Sequence, residues 1–267
     1  MPQASVNGLT INYDVQGEGD PLLLIPYLSA DHACYAFQLP AYTERFSCIS
    51  VDLPGSGESV PGGPYSTAVY ADQVAALLGA IGVERAHVAG VSFGAAVGMH
   101  LAARHPDRVR SLSLHSAWHR SDAYLRVVVE AWRALAAALP TVADAVIQGI
   151  FPWCFTPEMY DERPEFAESL ADFVRGRPAQ SHEAFRWQSD AVLAHDASDV
   201  LGAIRAPTLV TFGAHDLVTS TRFAEPLTSG IANSELVVFD HLSHAGLHED
   251  ADAFNGATLD FLTRESG

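Results

Sequence analysis

An α/β fold with a mostly parallel sheet, covered by helices on both faces, is what this chain of 267 residues predicts, and three observations carry it. The run at residues 22–26 has the all-hydrophobic character of a strand buried on both sides, and residues 46–51, apolar apart from Ser47 and Ser50, are read the same way. Such runs alternate with helical segments along most of the chain, the order that produces parallel pairing. Between one strand and one helix lies Gly90-Val91-Ser92-Phe93-Gly94, a serine with a glycine two residues away on either side.

Taken in order, residues 9–15 alternate as an antiparallel strand does, and Gly17-Glu18-Gly19-Asp20-Pro21 is a turn. After the strands at 22–26 and 46–51 comes an amphipathic helix at 70–81. The strand at 85–91 feeds the serine turn, and residues 95–103 form the helix that leaves it. Further strands are expected at 108–115, 208–213 and 236–239, with a closing helix at 253–263. Residues 118–195 break the alternation, with helical segments at 121–139, 142–150, 165–174 and 183–194 and no strand among them. Trp132, Trp153 and Trp187 are concentrated there, with Phe151 and Phe155. The expected organisation is a core of residues 1–117 and 196–267 and a helical lid of residues 118–195, inserted after the strand that ends near His115. The lid would cover the carboxyl ends of the strands, where open α/β sheets bind ligands.

Composition removes several functions. A formal net charge of −17 opposes binding to nucleic acid or to anionic membrane surfaces, both of which demand basic patches. The chain contains no lysine, which excludes Schiff-base catalysis and a phosphate-loop lysine. Cys34, Cys48 and Cys154 are odd in number and lack metal-ligand spacing, which fits reduced thiols in a cytoplasmic protein. Residues 1–8 show no secretory signal pattern, and the apolar run at 22–25 is far too short to span a bilayer.

The glycines of the pentapeptide allow a turn so tight that any Cβ there would meet neighbouring backbone. Such a turn holds the Ser92 hydroxyl clear of the sheet and points the Phe93 N–H at a developing oxyanion. A serine hydroxyl is a poor nucleophile until a base takes its proton, so the chain must supply a histidine and an acid that orients it. His244, in the loop after the strand at 236–239, is the candidate base. Asp216, two residues beyond Ala214, is the candidate acid, with Asp240 and Asp196 as further candidates. The second oxyanion donor is expected in the loop after residues 22–26, at the backbone N–H of Leu28. Asp240, His241, His244 and His248 also have the composition of a metal cluster, but Gly246 interrupts any helix that would bring the histidines to one face. No metal and no organic cofactor is expected.

These residues resemble the α/β-hydrolase fold family, in its 3-oxoadipate enol-lactonase-like and small carboxylesterase branch. Leu28-Ser29-Ala30-Asp31, followed by Tyr35 and Gln38-Leu39-Pro40, is similar to the family's oxyanion loop and the helix after it. Asp52-Leu53-Pro54-Gly55-Ser56-Gly57-Glu58-Ser59 is similar to its Asp-x-x-Gly-x-Gly-x-Ser loop. Residues 103–109 resemble the exit of the helix behind the nucleophile, and His244 with Glu249 resembles the histidine segment. The order Ser92, Asp216, His244 is that of the family, which favours Asp216 over the other acids. Pro26-Tyr27 stands where His-Gly is usual, Ala95 where many relatives have a further glycine, Ser243 where glycine is common, and Ala251 where proline is usual. The resemblance implies a serine hydrolase that cleaves a small-molecule carboxylic ester or lactone through an acyl-enzyme on Ser92. A C–C bond hydrolase of a vinylogous diketone, using the same three residues, is the alternative within enzymes; a ligand receptor of the same fold is the alternative outside them. Tyr27, Trp132, Trp153 and Trp187 are the candidate substrate-binding side chains. Arg120, Arg126, Arg133 and Arg186 are candidates to clamp a substrate carboxylate. Monomer and homodimer are equally compatible with the sequence.

Overall fold

The computed structural model describes residues 1–266. Eight strands form one sheet in the order β1-β2-β4-β3-β5-β6-β7-β8. They are β1 (Gln3–Val6), β2 (Leu9–Gln16), β3 (Asp20–Ile25), β4 (Phe46–Val51), β5 (Ala86–Val91), β6 (Val109–His115), β7 (Thr208–Gly213) and β8 (Ser234–Phe239). From β4 to β8 all neighbours run parallel; β1 and β2 pair antiparallel at one edge. β1 is absent from the sequence reading because it is a short, largely exposed edge strand whose only partner is β2. Only Ala4 and Val6 of its four residues face the core, too few to leave an alternating apolar pattern.

The apolar content of the central strands is explained by their position. Leu22 through Ile25 are fully buried, as are all six residues of β5 and of β7. Helices Thr67–Ala80 and Phe93–Arg104 cover one face, contributing Val74, Leu77 and Val97 to the larger core. Helix Ala251–Arg264 places Phe254, Phe261 and Leu262 against Leu22, Leu24 and Ala89 on the other. Several helices begin where a side-chain oxygen accepts a free backbone N–H: Ser66 from Val69, Asp122 from Leu125, Ser181 from Ala184 and Asp250 from Ala253.

Strand register sets the site. Ile25 pairs with Gly90, Val91 with His115, His115 with Thr211, and Gly213 with Phe239, so the loops that follow β3, β5, β7 and β8 emerge along one edge. The helices between β6 and β7 enter and leave through a narrow neck. There Arg120 forms a bridge with Asp196, the Ser121 N–H donates to the His195 carbonyl at 3.0 Å, and the Ala197 N–H donates to the His119 carbonyl at 2.7 Å. Where a single helix at 142–150 was expected, residues Val142–Ala145 are α-helical and Val146–Ile150 widen into a π-turn before the short helix Phe151–Cys154. Val146 and Ile150 from that widened turn reach the cavity described next.

Candidate active site

Ser92 occupies a backbone conformation that costs energy: φ is 52° and ψ is −114° at the junction of β5 and helix Phe93–Arg104. The flanking glycines make this possible. A Cβ on Gly90 would collide with the Gly94 carbonyl, and a Cβ on Gly94 would collide with the carbonyls of Ile25 and Pro26. The turn is locked by the Ser92 N–H donating to the His115 carbonyl at 2.8 Å.

The structure brings the three side chains selected from the sequence into one hydrogen-bonded series. His244 Nε2 lies 3.0 Å from Ser92 Oγ, and His244 Nδ1 lies 2.9 Å from Asp216 Oδ2. The other oxygen of Asp216, Oδ1, accepts the N–H groups of Val218 at 2.7 Å and Thr219 at 2.9 Å. Burial disfavours the charged carboxylate, but the adjacent imidazole, its hydrogen bond and the Thr219 donors outweigh that cost and hold Asp216 below the ordinary carboxylate range. It is therefore ionised at neutral pH. Asp196 instead accepts the Ser198 N–H, and Asp240 is exposed after β8.

Residues that the sequence reading passed over hold this series in place. The Thr219 hydroxyl sits 2.9 Å from Asp216 Oδ2 and 3.0 Å from the Ser116 carbonyl. The Ser116 hydroxyl donates to the His244 carbonyl at 3.0 Å, and Ser116 itself has φ of 50° immediately after β6. The spacing Asp216-x-x-Thr219 is the signal that could have found the first of these, since aspartates at such turns accept N–H groups two and three residues on. Nothing in the sequence around Ser116 announces its partner 128 residues away.

On the other side of Ser92, the N–H groups of Leu28 and Phe93 have no acceptor among the described residues. Phe93 opens its helix, where the first N–H groups are necessarily free. The buried Tyr35 hydroxyl fastens the two strands that carry these donors, lying 2.8 Å from the Ile25 carbonyl and 3.3 Å from that of Ala89. Behind the Leu28 loop, buried Asp52 accepts the His32 N–H at 2.9 Å and the Glu58 N–H at 3.1 Å, and lies 2.8 Å from His32 Nδ1.

Ser92 and His244 open on a cavity of about 270 Å³ between the sheet edge and the helical insertion. Its wall is mostly hydrophobic, with Trp118, Leu125, Trp132, Phe155 and Leu170 among the lining residues, and among the described residues no Arg, Asp or Glu lines it. Tyr27 and Trp132 are in this wall. Trp153 and Trp187 are not. Trp187 lies beside the buried stripe of its helix, which is made by Phe185, Gln188, Ser189 and Val192. Trp153 is half-buried against the core, while Phe151, Cys154 and Phe155 around it face the cavity. None of the four candidate arginines reaches the cavity: Arg120 is exposed, Arg126 donates to the Ser121 carbonyl, and Arg133 and Arg186 pair with acidic residues of the insertion. The four residues with metal-cluster composition separate as well, since His241 pairs with Asp250, His244 with Asp216 and His248 with Tyr27.

A strained serine beside a histidine and a buried acid, at the carboxyl edge of a parallel sheet, defines a class of fold and site shared with known hydrolases. The model of the alpha/beta hydrolase fold matches residues 20–251, and the chain belongs to that family. Among curated relatives, RutD of Azorhizobium caulinodans, named for carbamate hydrolysis, is 31% identical over 263 residues, covering 98% of each chain. The pimeloyl-[acyl-carrier protein] methyl ester esterase of Neisseria meningitidis serogroup B is 32% identical over 237 residues, 84% of this chain and 85% of its own length. The crystal structure of the enol-lactonase from Burkholderia xenovorans superposes with a TM-score of 0.87 at 28% identity, covering 98% of this chain and all of that one. No helix of the described residues is long and apolar enough to cross a membrane.

Proposed function

We propose that this chain hydrolyses an uncharged carboxylic ester or lactone with an apolar acyl or alcohol portion, through an acyl-enzyme on Ser92. The observation that carries the reading is the continuous series Ser92 Oγ–His244 Nε2 at 3.0 Å and His244 Nδ1–Asp216 Oδ2 at 2.9 Å, opening on an apolar cavity beside two unpartnered N–H groups. His244 takes the proton of Ser92 as Oγ attacks the acyl carbon, and ionised Asp216 stabilises the imidazolium that results. The N–H groups of Leu28 and Phe93 receive the oxyanion, each contributing about 2.7–4 kcal/mol by analogy with such donors elsewhere. His244 then returns its proton to the leaving oxygen, and water repeats the sequence on the acyl-enzyme. Residues 118–195 act in this scheme as the lid that closes the cavity and selects the substrate.

The names of the three relatives, a carbamate hydrolase, a methyl ester esterase and an enol-lactonase, share a carbonyl carbon bonded to a heteroatom, which supports this reaction class. The absence of any guanidinium from the cavity wall, among the described residues, argues against a substrate that brings a carboxylate into it. The test is a panel of p-nitrophenyl esters of increasing chain length beside neutral and carboxylate-bearing lactones, with a serine-directed phosphonate as label. Turnover of neutral members, with the label on Ser92 and neither in Ser92→Ala, is the expected result. A wild-type protein that turns over no member and leaves Ser92 unlabelled overturns the proposal.

A further inference from the structure

Tyr27 stands between the end of β3 and the oxyanion donor Leu28, and its phenol reaches His248, 221 residues away in the chain. Tyr27 Oη and His248 Nε2 are 3.0 Å apart, with the rings edge to face. His248 lies four residues beyond His244 in the short helix Gly246–Glu249, is 8% exposed, and is braced edge-on by Phe37. Its Nδ1 is buried and has no hydrogen-bond partner.

That orphan atom decides where the proton sits. A buried N–H with no acceptor costs more than a buried lone pair with no donor, and is correspondingly rare. The imidazole proton therefore belongs on Nε2, where it is donated to Tyr27 Oη. With its oxygen already accepting, the phenol keeps its own proton to give, and among the described residues no acceptor stands within reach of it. Burial pushes the Tyr27 phenol well above its ordinary value and lowers His248 to about 4, so both groups are uncharged at neutral pH. Tyr27 lines both the cavity that holds Ser92 and an adjoining, more polar hollow that also contains Ser29, Gln180, Asp31, Asp144, Arg175 and Arg177. The free donor thus lies at the passage between the two.

We infer that Tyr27, held by His248, forms a hydrogen-bond-donor subsite for a neutral oxygen acceptor of the substrate, a ketone, ester or amide carbonyl other than the one attacked. The inference rests on Ser92 being the nucleophile and narrows the substrate to esters or lactones with a second carbonyl. A neutral donor in an apolar wall satisfies an uncharged oxygen, whereas a carboxylate in the Ser92 cavity would meet no cation, and Arg175 and Arg177 of the adjoining hollow are already paired with Asp172 and Asp31. A wholly hydrocarbon substituent would instead strip water from the phenol and return nothing.

The experiment compares p-nitrophenyl hexanoate with its 3-oxo, 4-oxo and 5-oxo derivatives in the wild-type protein, Tyr27→Phe and His248→Leu, with phosphonate labelling of Ser92 run on each. At least one oxo ester is expected to exceed the parent in kcat/KM by about tenfold in the wild type, the value of one well-made hydrogen bond. The ratio of oxo ester to parent is expected to fall to about 1 in Tyr27→Phe and to decline in His248→Leu, whatever the absolute rates. If wild-type protein labels at Ser92 and turns over the hexanoate but favours no oxo ester, the subsite is refuted while the nucleophile stands. A ratio unchanged in Tyr27→Phe refutes it equally. If neither variant folds, the wild-type ranking alone decides.

Discussion

The Glu249 carboxylate and the backbone of Ser243 are joined at 2.6 Å, Oε2 accepting the N–H of the residue that precedes His244. The other oxygen, Oε1, accepts the N–H of Thr156 in the helical insertion at 2.7 Å, and the Ala245 N–H donates to the Cys154 carbonyl at 2.9 Å. One carboxylate thus fastens the histidine loop to the insertion. Glu249→Ala leaves two N–H groups without their acceptor, at a cost of about 1–3 kcal/mol for each that water does not reach. A lower unfolding free energy in urea, together with reduced kcat, is expected. Glu249→Gln keeps one acceptor oxygen and is expected to fall between.

Ser92→Ala and His244→Ala are each expected to lower kcat by about 10⁴–10⁶, the scale of losses when residues act as a unit, and the double variant little further. Asp216→Asn is expected to lose about 10⁴, because an amide presented to Nδ1 favours the wrong tautomer. Exposed Asp240 and the separately bonded Asp196 are not positioned to substitute for it. Steady-state rates on the best ester of the panel check all three, and activity of Asp216→Asn within tenfold of the wild type contradicts the assignment.

The three thiols are free and buried. Burial raises Cys34 and Cys154 well above the ordinary thiol value and Cys48 to about 12, so the reactive thiolate is scarce at neutral pH. Native protein incubated with iodoacetamide at pH 7.5 is expected to gain no mass, and protein in guanidinium to gain three adducts. Rapid loss of activity on native alkylation would show that Cys154, in the cavity wall, is more accessible than its surroundings imply.

Acid is expected to destabilise the fold before carboxylates titrate. Burial lowers His87 and His248 to about 4, and His115 and His195 to about 3. Unfolded, each would take up a proton near 6.5, so their contribution is complete above that pH and is lost as the pH falls toward 4. Each buried imidazole adds a slope of about 1.4 kcal/mol per pH unit across that window. Urea unfolding at pH 7, 6 and 5 should show a steadily falling midpoint. An unchanged midpoint between pH 7 and 5 would mean that these histidines are protonated in the folded state.

How far the sequence reached depended on the range of the interaction. The buried strands were legible because burial on both faces leaves only apolar side chains, as in Leu22–Ile25 and in β7. The serine turn was legible because only glycine tolerates the approach of the Ile25 and Gly94 carbonyls. Burial and alternation are properties of a few consecutive residues, so they survive in the linear text. β1 was not legible, since a four-residue edge strand with only Ala4 and Val6 turned to the core is too short to show alternation.

By itself, then, the sequence determined seven of the eight strands, their order along the chain and the three side chains that stand in series at the sheet's edge, because strand register brings the loops after β5, β7 and β8 to that edge. Only the tertiary structure decided that Thr219, Ser116 and Glu249 hold that series and that Trp132 lines the cavity while Trp153 and Trp187 do not. It also decided that the arginines of the insertion turn to acidic partners and the insertion's own carbonyls, and that Tyr27 meets His248. Tyr27 with His248 and Ser116 with His244 join segments more than a hundred residues apart, which no local pattern records. Thr219 and the arginines of the insertion find partners within a few residues or across the insertion, where side-chain direction decides the choice.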